Sequence, residues 1–138
     1  MHHTNPITKH IVPDNQRMEV ADQLFGMGYV LPFEPRIFQL AEALAEDYEG
    51  SYWAFYGLSN GGFYMAPTAQ ECYNVRSENG FADSVEADTL GVIVTMYTYS
   101  DQSFGVGKLA QTCATHYHPL RQFALGHPAA RTIMAAID

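Results

Sequence analysis

The clearest pattern of apolar positions lies between Ser51 and Pro67, where two aromatic-rich runs flank Asn60-Gly61. Asn-Gly accommodates positive φ at both central positions of a two-residue type I′ turn, so the stretch reads as a β-hairpin. In that register Leu58 faces Phe63 and Tyr56 faces Met65 on one side. Trp53, Phe55, Tyr64 and Ala66 then fall on the other, because side chains alternate along a strand. Both faces are largely apolar and need cover on both sides. Gly62 follows the turn, and Pro67, which has no backbone donor, closes the second strand. A lone hairpin is marginal in water, so the remaining chain must supply further strands and helices.

Upstream, residues 1–13 are polar, carry Pro6 and Pro13, and show no sustained period, which predicts a flexible segment ahead of one domain over 14–138. Asp14 is placed to cap a short helix through Met18, Ala21, Leu24 and Phe25 that stops at Gly26 or Gly28. A stronger helix follows. Glu34 stands at its N-cap and Pro35 at its first position, with Phe33 and Phe38 at the spacing of a hydrophobic staple. Phe33, Ile37, Leu40, Ala41, Leu44 and Tyr48 form one apolar stripe, and Gly50 is the expected stop. Glu42, Glu46 and Glu49 share the opposite, solvated face.

Beyond the hairpin, Tyr73 to Glu78 reads as a strand and Asn79-Gly80 repeats the turn signal, giving an antiparallel meander of about three strands. Asp83 and Glu86 have the spacing of a capping box. Leu90, Val94 and Tyr97 fit a helix, although Val92-Ile93-Val94-Thr95 suits a strand equally well. Residues 105–117 read as a helix through Val106, Leu109, Ala110, Cys113 and Tyr117. His127-Pro128 opens a last one with Ala130, Ile133, Met134 and Ile137 inward. The class is α+β, a small antiparallel sheet among four to five helices in a single compact domain.

Composition narrows the function more than the fold. The chain has 138 residues and a net charge of −8. From Glu34 to Asp101 eleven acids stand against Arg36 and Arg76 alone. An acidic middle argues against direct binding to nucleic acid, which needs a basic footprint. No apolar run approaches a membrane span and no apolar signal core opens the sequence, so cytoplasm is the expected location. Cys72 and Cys113 are expected to be reduced and buried.

Gly57-Leu58-Ser59-Asn60-Gly61 matches the G-x-S-x-G elbow of serine hydrolases, with His116, His118 and His127 downstream. An elbow needs a helix after it, whereas the residues after Gly61 are extended. Ser59 therefore reads as a residue that merely flanks a turn. The histidines lack metal-site spacing, because positions 116 and 118 do not share a helix face and have no partner at i+4. No catalytic residue, metal or cofactor is expected. Mimicry of DNA by the acidic surface is the other alternative, but a charged fraction of 16% is thin for a dense array.

Two groups of residues carry more than their chemistry. Tyr52-Trp53, Tyr56 and the run Leu58 to Pro67 resemble the signature of the ArdB/KlcA antirestriction family. So do Tyr117-His118, Leu120-Arg121, Phe123-Ala124, Gly126-His127-Pro128 and the closing Ala136-Ile137-Asp138. An aspartate stands in place of Asn60 in some members. The resemblance runs from about Arg17 onward and implies a compact mixed fold. It implies a non-catalytic protein of plasmids or other mobile DNA that protects incoming DNA from type I restriction. The type I enzyme is then the expected functional target, and a monomer is the expected state of the chain.

The family offers no agreed site, so candidates come from local electrostatics. A helix C-terminus disfavours acids. The Pro35 helix is expected to end among Glu46, Asp47 and Glu49, and the last helix in Asp138 with the terminal carboxylate. These acids, Glu42 on the same face, and Arg121 and His127 are the candidate partner-binding residues. Trp53, Tyr56 and the turn and strand residues after them are structural.

Overall fold

The hairpin forms around Asn60-Gly61, but in a register one residue away from the expected one. A computed structural model describes residues 6–138. In it β2 (Trp53–Leu58) pairs with β3 (Phe63–Pro67) through Phe55↔Met65 and Tyr56↔Tyr64. The reason is the loop. Gly61 N–H donates to Leu58 O, and Leu58 N–H to Gly62 O, so three residues make the turn rather than two. Only Gly61 adopts positive φ, at 87°, the arrangement of a turn followed by a glycine bulge. Trp53, Phe55, Phe63 and Met65 consequently share one face, and Tyr56, Tyr64 and Ala66 the other.

The Asn60 side chain works twice in this turn. Its Oδ1 accepts the Gly62 N–H at 3.1 Å, and its Nδ2 donates to Pro119 O at 2.9 Å on a neighbouring helix. The second hairpin, β4 (Cys72–Arg76) with β5 (Ala82–Glu86), repeats the device around Gly80. There Gly80 N–H donates to Ser77 O and Asn79 Oδ1 accepts the Phe81 N–H. Asn79 Nδ2 reaches Ala135 O at 2.9 Å.

The strands divide between two sheets instead of one continuing meander. The larger has the order β1-β2-β3, and β4-β5 stands apart. Its edge strand β1 (Lys9–Ile11) comes from the stretch read as flexible and pairs with β2 through His10↔Gly57. The first five residues of that stretch lie outside the described residues.

Helix α1 (Arg17–Phe25) follows a short turn at Asp14–Gln16 and stops at Gly26, whose φ is 58°. Asp14 makes no cap bond, and its carboxylate accepts from the Tyr52 hydroxyl. Arg17 lies over the Phe55 ring at 3.8 Å and donates to Trp53 O, fastening α1 to β2. Helix α2 (Glu34–Leu44) starts one residue before its proline, with Phe33 rather than Glu34 at the N-cap. Phe33 stacks on Phe25, however, while Phe38 packs on Trp53, so the two do not form a staple.

Helix α2 also ends well before Gly50. Ala45 is extended and bridges Val75 of β4, and Tyr48 accepts the Trp53 indole N–H at 2.9 Å. Glu46, Asp47 and Glu49 therefore sit in a connection, and the argument that they crowd a helix C-terminus fails. Asp47 has a structural task there, since its carboxylate accepts the backbone N–H of Asn74 at 3.1 Å.

Asp83 and Glu86 belong to β5, not to a capping box. Helix α3 (Ala87–Ser103) begins after them and is buried along most of its length, between β3 and α4 (Lys108–Leu125). Its polar groups are satisfied: Tyr99 donates to Phe63 O at 2.8 Å, and Thr98 to Val94 O. Helix α5 (Ala130–Ile137) closes the core with Ile133 and Ala136. Cys113 is buried, which pushes its thiol up to about 12, but Cys72 is exposed, against expectation. No helix among the described residues is long and apolar enough to cross a membrane.

Candidate functional site

Four elements converge on one carboxylate. Asp88 lies in the first turn of α3, where the helix dipole favours negative charge. Its Oδ1 accepts from Lys9 Nζ of β1 at 2.9 Å and from the Tyr64 hydroxyl of β3 at 2.5 Å. Its Oδ2 lies 2.8 Å from His127 Nε2, in the loop between α4 and α5. His127 Nδ1 accepts the Ala129 N–H at 2.9 Å, so Nε2 carries the ring proton and donates to Asp88.

Burial opposes ionisation of Asp88, but the bonds from His127, Tyr64 and Lys9 outweigh it and hold the carboxyl well below its ordinary range. Burial and the same bond to Asp88 push the Tyr64 hydroxyl far up. Tyr64 therefore stays a neutral donor. Around the carboxylate runs a layer of rings. Lys9 lies 4.8 Å over Tyr56, Tyr56 stacks on Tyr64 at 5.1 Å, Tyr64 on Phe123 at 5.6 Å, and Phe123 meets His127 edge-on.

This network forms part of the wall of a cleft of about 970 Å³. Ile7, Val85, Phe123 and Pro128 give it apolar surface, and Ser84, Glu86 and Thr132 add polar groups. Both ring nitrogens of His127 are engaged, and both oxygens of Asp88 accept hydrogen bonds. Ser59 lies in the hairpin loop, where its Oγ accepts the Thr8 N–H at 2.9 Å. It has the tertiary role of tying β1 to the turn.

Of the candidate partner-binding residues, the cleft gathers His127 alone. Glu42 is exposed on α2, Glu46 and Glu49 are exposed in the connection after it, Arg121 is exposed on α4, and Asp138 follows α5. These residues come from separate elements. Tyr64, assigned a structural part, touches the network directly. Asp88 and Lys9 were missed. The legible signal for Asp88 was an acid at the start of an apolar helix, but the apparent capping box at Asp83 displaced that start by three residues. Among the described residues, no group of three His, Cys, Asp or Glu side chains is placed to hold a metal.

Comparison with known proteins adds a consistent picture. Residues 46–138 match the family model described as "Antirestriction protein". The antirestriction protein KlcA of Escherichia coli is 34% identical over 136 residues, covering 96% of each chain. The uncharacterised protein YfjX of Escherichia coli K12 is 36% identical over 131 residues, covering 92% of this chain and 85% of its own. A solved structure from work on KlcA and ArdB superposes with a TM-score of 0.89 at 33% identity, over 100% of this chain and 99% of that one. Those proteins are described as having a novel fold and antirestriction activity against type I DNA restriction systems in vivo but not in vitro.

Proposed function

This chain belongs to the ArdB/KlcA antirestriction family, and from that premise we propose that it protects incoming mobile-element DNA from type I restriction-modification enzymes inside the cell. It acts as a non-catalytic inhibitor. The observation that carries the reading is the full-length structural match at 33% identity, which spans both hairpins and the Asp88 network alike. The mutual engagement of Asp88 and His127, each held by further hydrogen bonds, supports a binding role over an enzymatic one.

The type I enzyme is the functional target. Activity in cells but not with purified parts, as described for the solved relatives, is the behaviour of an inhibitor that works with a further cellular component. The protein acts as a cytoplasmic monomer without binding DNA itself. Mimicry of DNA is the weaker reading here. Asp47 is tied to Asn74, Asp88 to Lys9 and His127, and Asp101 to Arg36, which removes three acids from any free array. Glu42, Glu46, Glu49, Asp138 and Arg121 remain candidates for surface contacts.

The decisive test delivers unmodified DNA, by phage infection or plasmid transfer, into cells with a type I enzyme. Cells producing this chain should recover far more plaques or transformants than cells without it. Equal recovery at verified protein levels would sink the proposal. A parallel cleavage assay with purified components should show no direct inhibition.

A further inference from the structure

The cleft over Asp88 is bounded by two strand edges with unpaired backbone groups. In the β4–β5 ladder, Ser77 N–H donates to Phe81 O and Ala87 N–H to Glu71 O. Because bonded and non-bonded pairs alternate, Val75↔Asp83 and Tyr73↔Val85 are the bonded pairs. Ser84 and Glu86 therefore turn their backbone groups away from β4. In the β1–β2 ladder, Ser59 N–H donates to Thr8 O and Val12 N–H to Phe55 O. Ile7 and Lys9 likewise turn theirs outward. All four residues line the cleft. Among the described residues no strand pairs with either edge.

Native sheets usually cover or blunt such edges, because an open edge is a template for another strand. Among the described residues nothing pairs with the β5 edge, and no proline interrupts it. Phe123 lines the same cleft, Val85 faces inward, and the exposed acid Glu86 stands on the opposite face of the strand. The Ser84 N–H is occupied by Asp83 Oδ1 at 2.8 Å, and among the described residues nothing bonds the outward-turned Glu86 N–H and Ser84 carbonyl.

We propose that this cleft binds an extended peptide segment of a protein partner, which adds a strand to the outer edge of β5. Main-chain bonds supply the attachment, and alternate side chains supply the selection. The side chains of the segment alternate as those of β5 do: an apolar one sits on the Val85 face toward Phe123, and basic ones on the opposite face stand across from Glu86. The biological role of this groove rests on the antirestriction reading, whereas the binding itself does not.

The probe is a capped heptapeptide of alternating valine and arginine, titrated into isotope-labelled protein while amide signals are followed by NMR. Shifts are expected at Ser84, Val85 and Glu86. Replacing the arginines by glutamates should abolish them. N-methylating the backbone at the valines alone, or at the arginines alone, should weaken binding by about tenfold in at least one case, through loss of a paired backbone bond. Glu86 has φ −67° and ψ 157°, a conformation proline adopts freely, so Glu86→Pro removes its N–H with little disturbance. That variant should bind the peptide about tenfold more weakly than Glu86→Gln does. Shifts that ignore N-methylation, or that map away from β5, reveal mere charge attraction and overturn the groove while leaving cellular protection intact. Failure of the parent protein to protect DNA in cells overturns the functional reading without touching the groove.

Discussion

Gly91 of α3 lies so close to Ala66 of β3 that a Cβ on it would stand 2.4 Å from the Ala66 Cβ and 2.5 Å from the Met65 carbonyl oxygen. Both obstacles belong to a fully packed sheet, so neither can swing aside. Alanine normally favours a helix interior over glycine by about 1 kcal/mol. Here the clash decides the sign. Gly91→Ala should destabilise by about 2–3 kcal/mol, read as a lowered denaturation midpoint.

Trp53 is 2% exposed, and its indole N–H donates to Tyr48 Oη. Trp53→Ala should cost about 3–5 kcal/mol and abolish protection by unfolding. Tyr48→Phe keeps the ring and strands the indole donor, costing about 1–2 kcal/mol. A folded Trp53→Ala protein of parental stability that fails to protect DNA would instead put Trp53 in the binding surface.

Ser59→Ala separates the two meanings of the elbow-like motif. The hydroxyl accepts the Thr8 N–H, so its loss should cost about 1 kcal/mol and loosen β1, seen as faster amide exchange at Thr8. Protection in cells should remain at the parental level. Loss of protection in a folded variant, together with ester hydrolysis by the parent, would revive the hydrolase alternative.

The pH profile should carry the mark of His116. Its half-buried ring packs against Phe25 and Tyr99, its buried Nδ1 has no partner among the described residues, and burial lowers its pKa from 6.5. The folded state then binds fewer protons than the unfolded one in the window just below pH 6.5. Stability rises with pH through that window and is lost as pH falls through the depressed value. His116→Phe should flatten this part of the curve. Asp88 works in the same sense at lower pH, its contribution fading as pH drops below the ordinary carboxylate range.

Asn60→Asp and Asn79→Asp should each cost about 1–3 kcal/mol. Either change keeps the oxygen that holds the loop but turns a donor into a carboxylate facing a helix carbonyl. Thermal melts at neutral pH against pH 3 would separate the charge from the lost donor. Equal melting of Asn79→Asp and parent would mean that the contact with α5 contributes nothing.

The sequence showed local features well and long-range ones poorly. Pro35 marked the start of α2, and both Asn-Gly pairs marked hairpins. The register slipped because a three-residue loop and a two-residue loop share the same dipeptide. The end of α2 was hidden because Ala45 leaves the helix to bridge Val75, thirty residues away. β1 is short and polar on an edge, so no alternation betrayed it. The Asp88 network draws one residue from each of four elements, and no spacing rule links them.

The two asparagine side chains also impose an order of events on a growing chain. Each hairpin can close its backbone bonds soon after synthesis, yet its turn amide must wait for an acceptor made much later. For Asn79 that acceptor is Ala135, fifty-six residues downstream. At ribosomal speeds of about 5–20 residues per second the wait is roughly 3–11 s. Through that interval the β4–β5 turn stands without the helix carbonyl that locks it. Helix α5 is therefore the fastener of the second hairpin, and chains stopped before residue 135 should present that turn unlocked to cellular proteases.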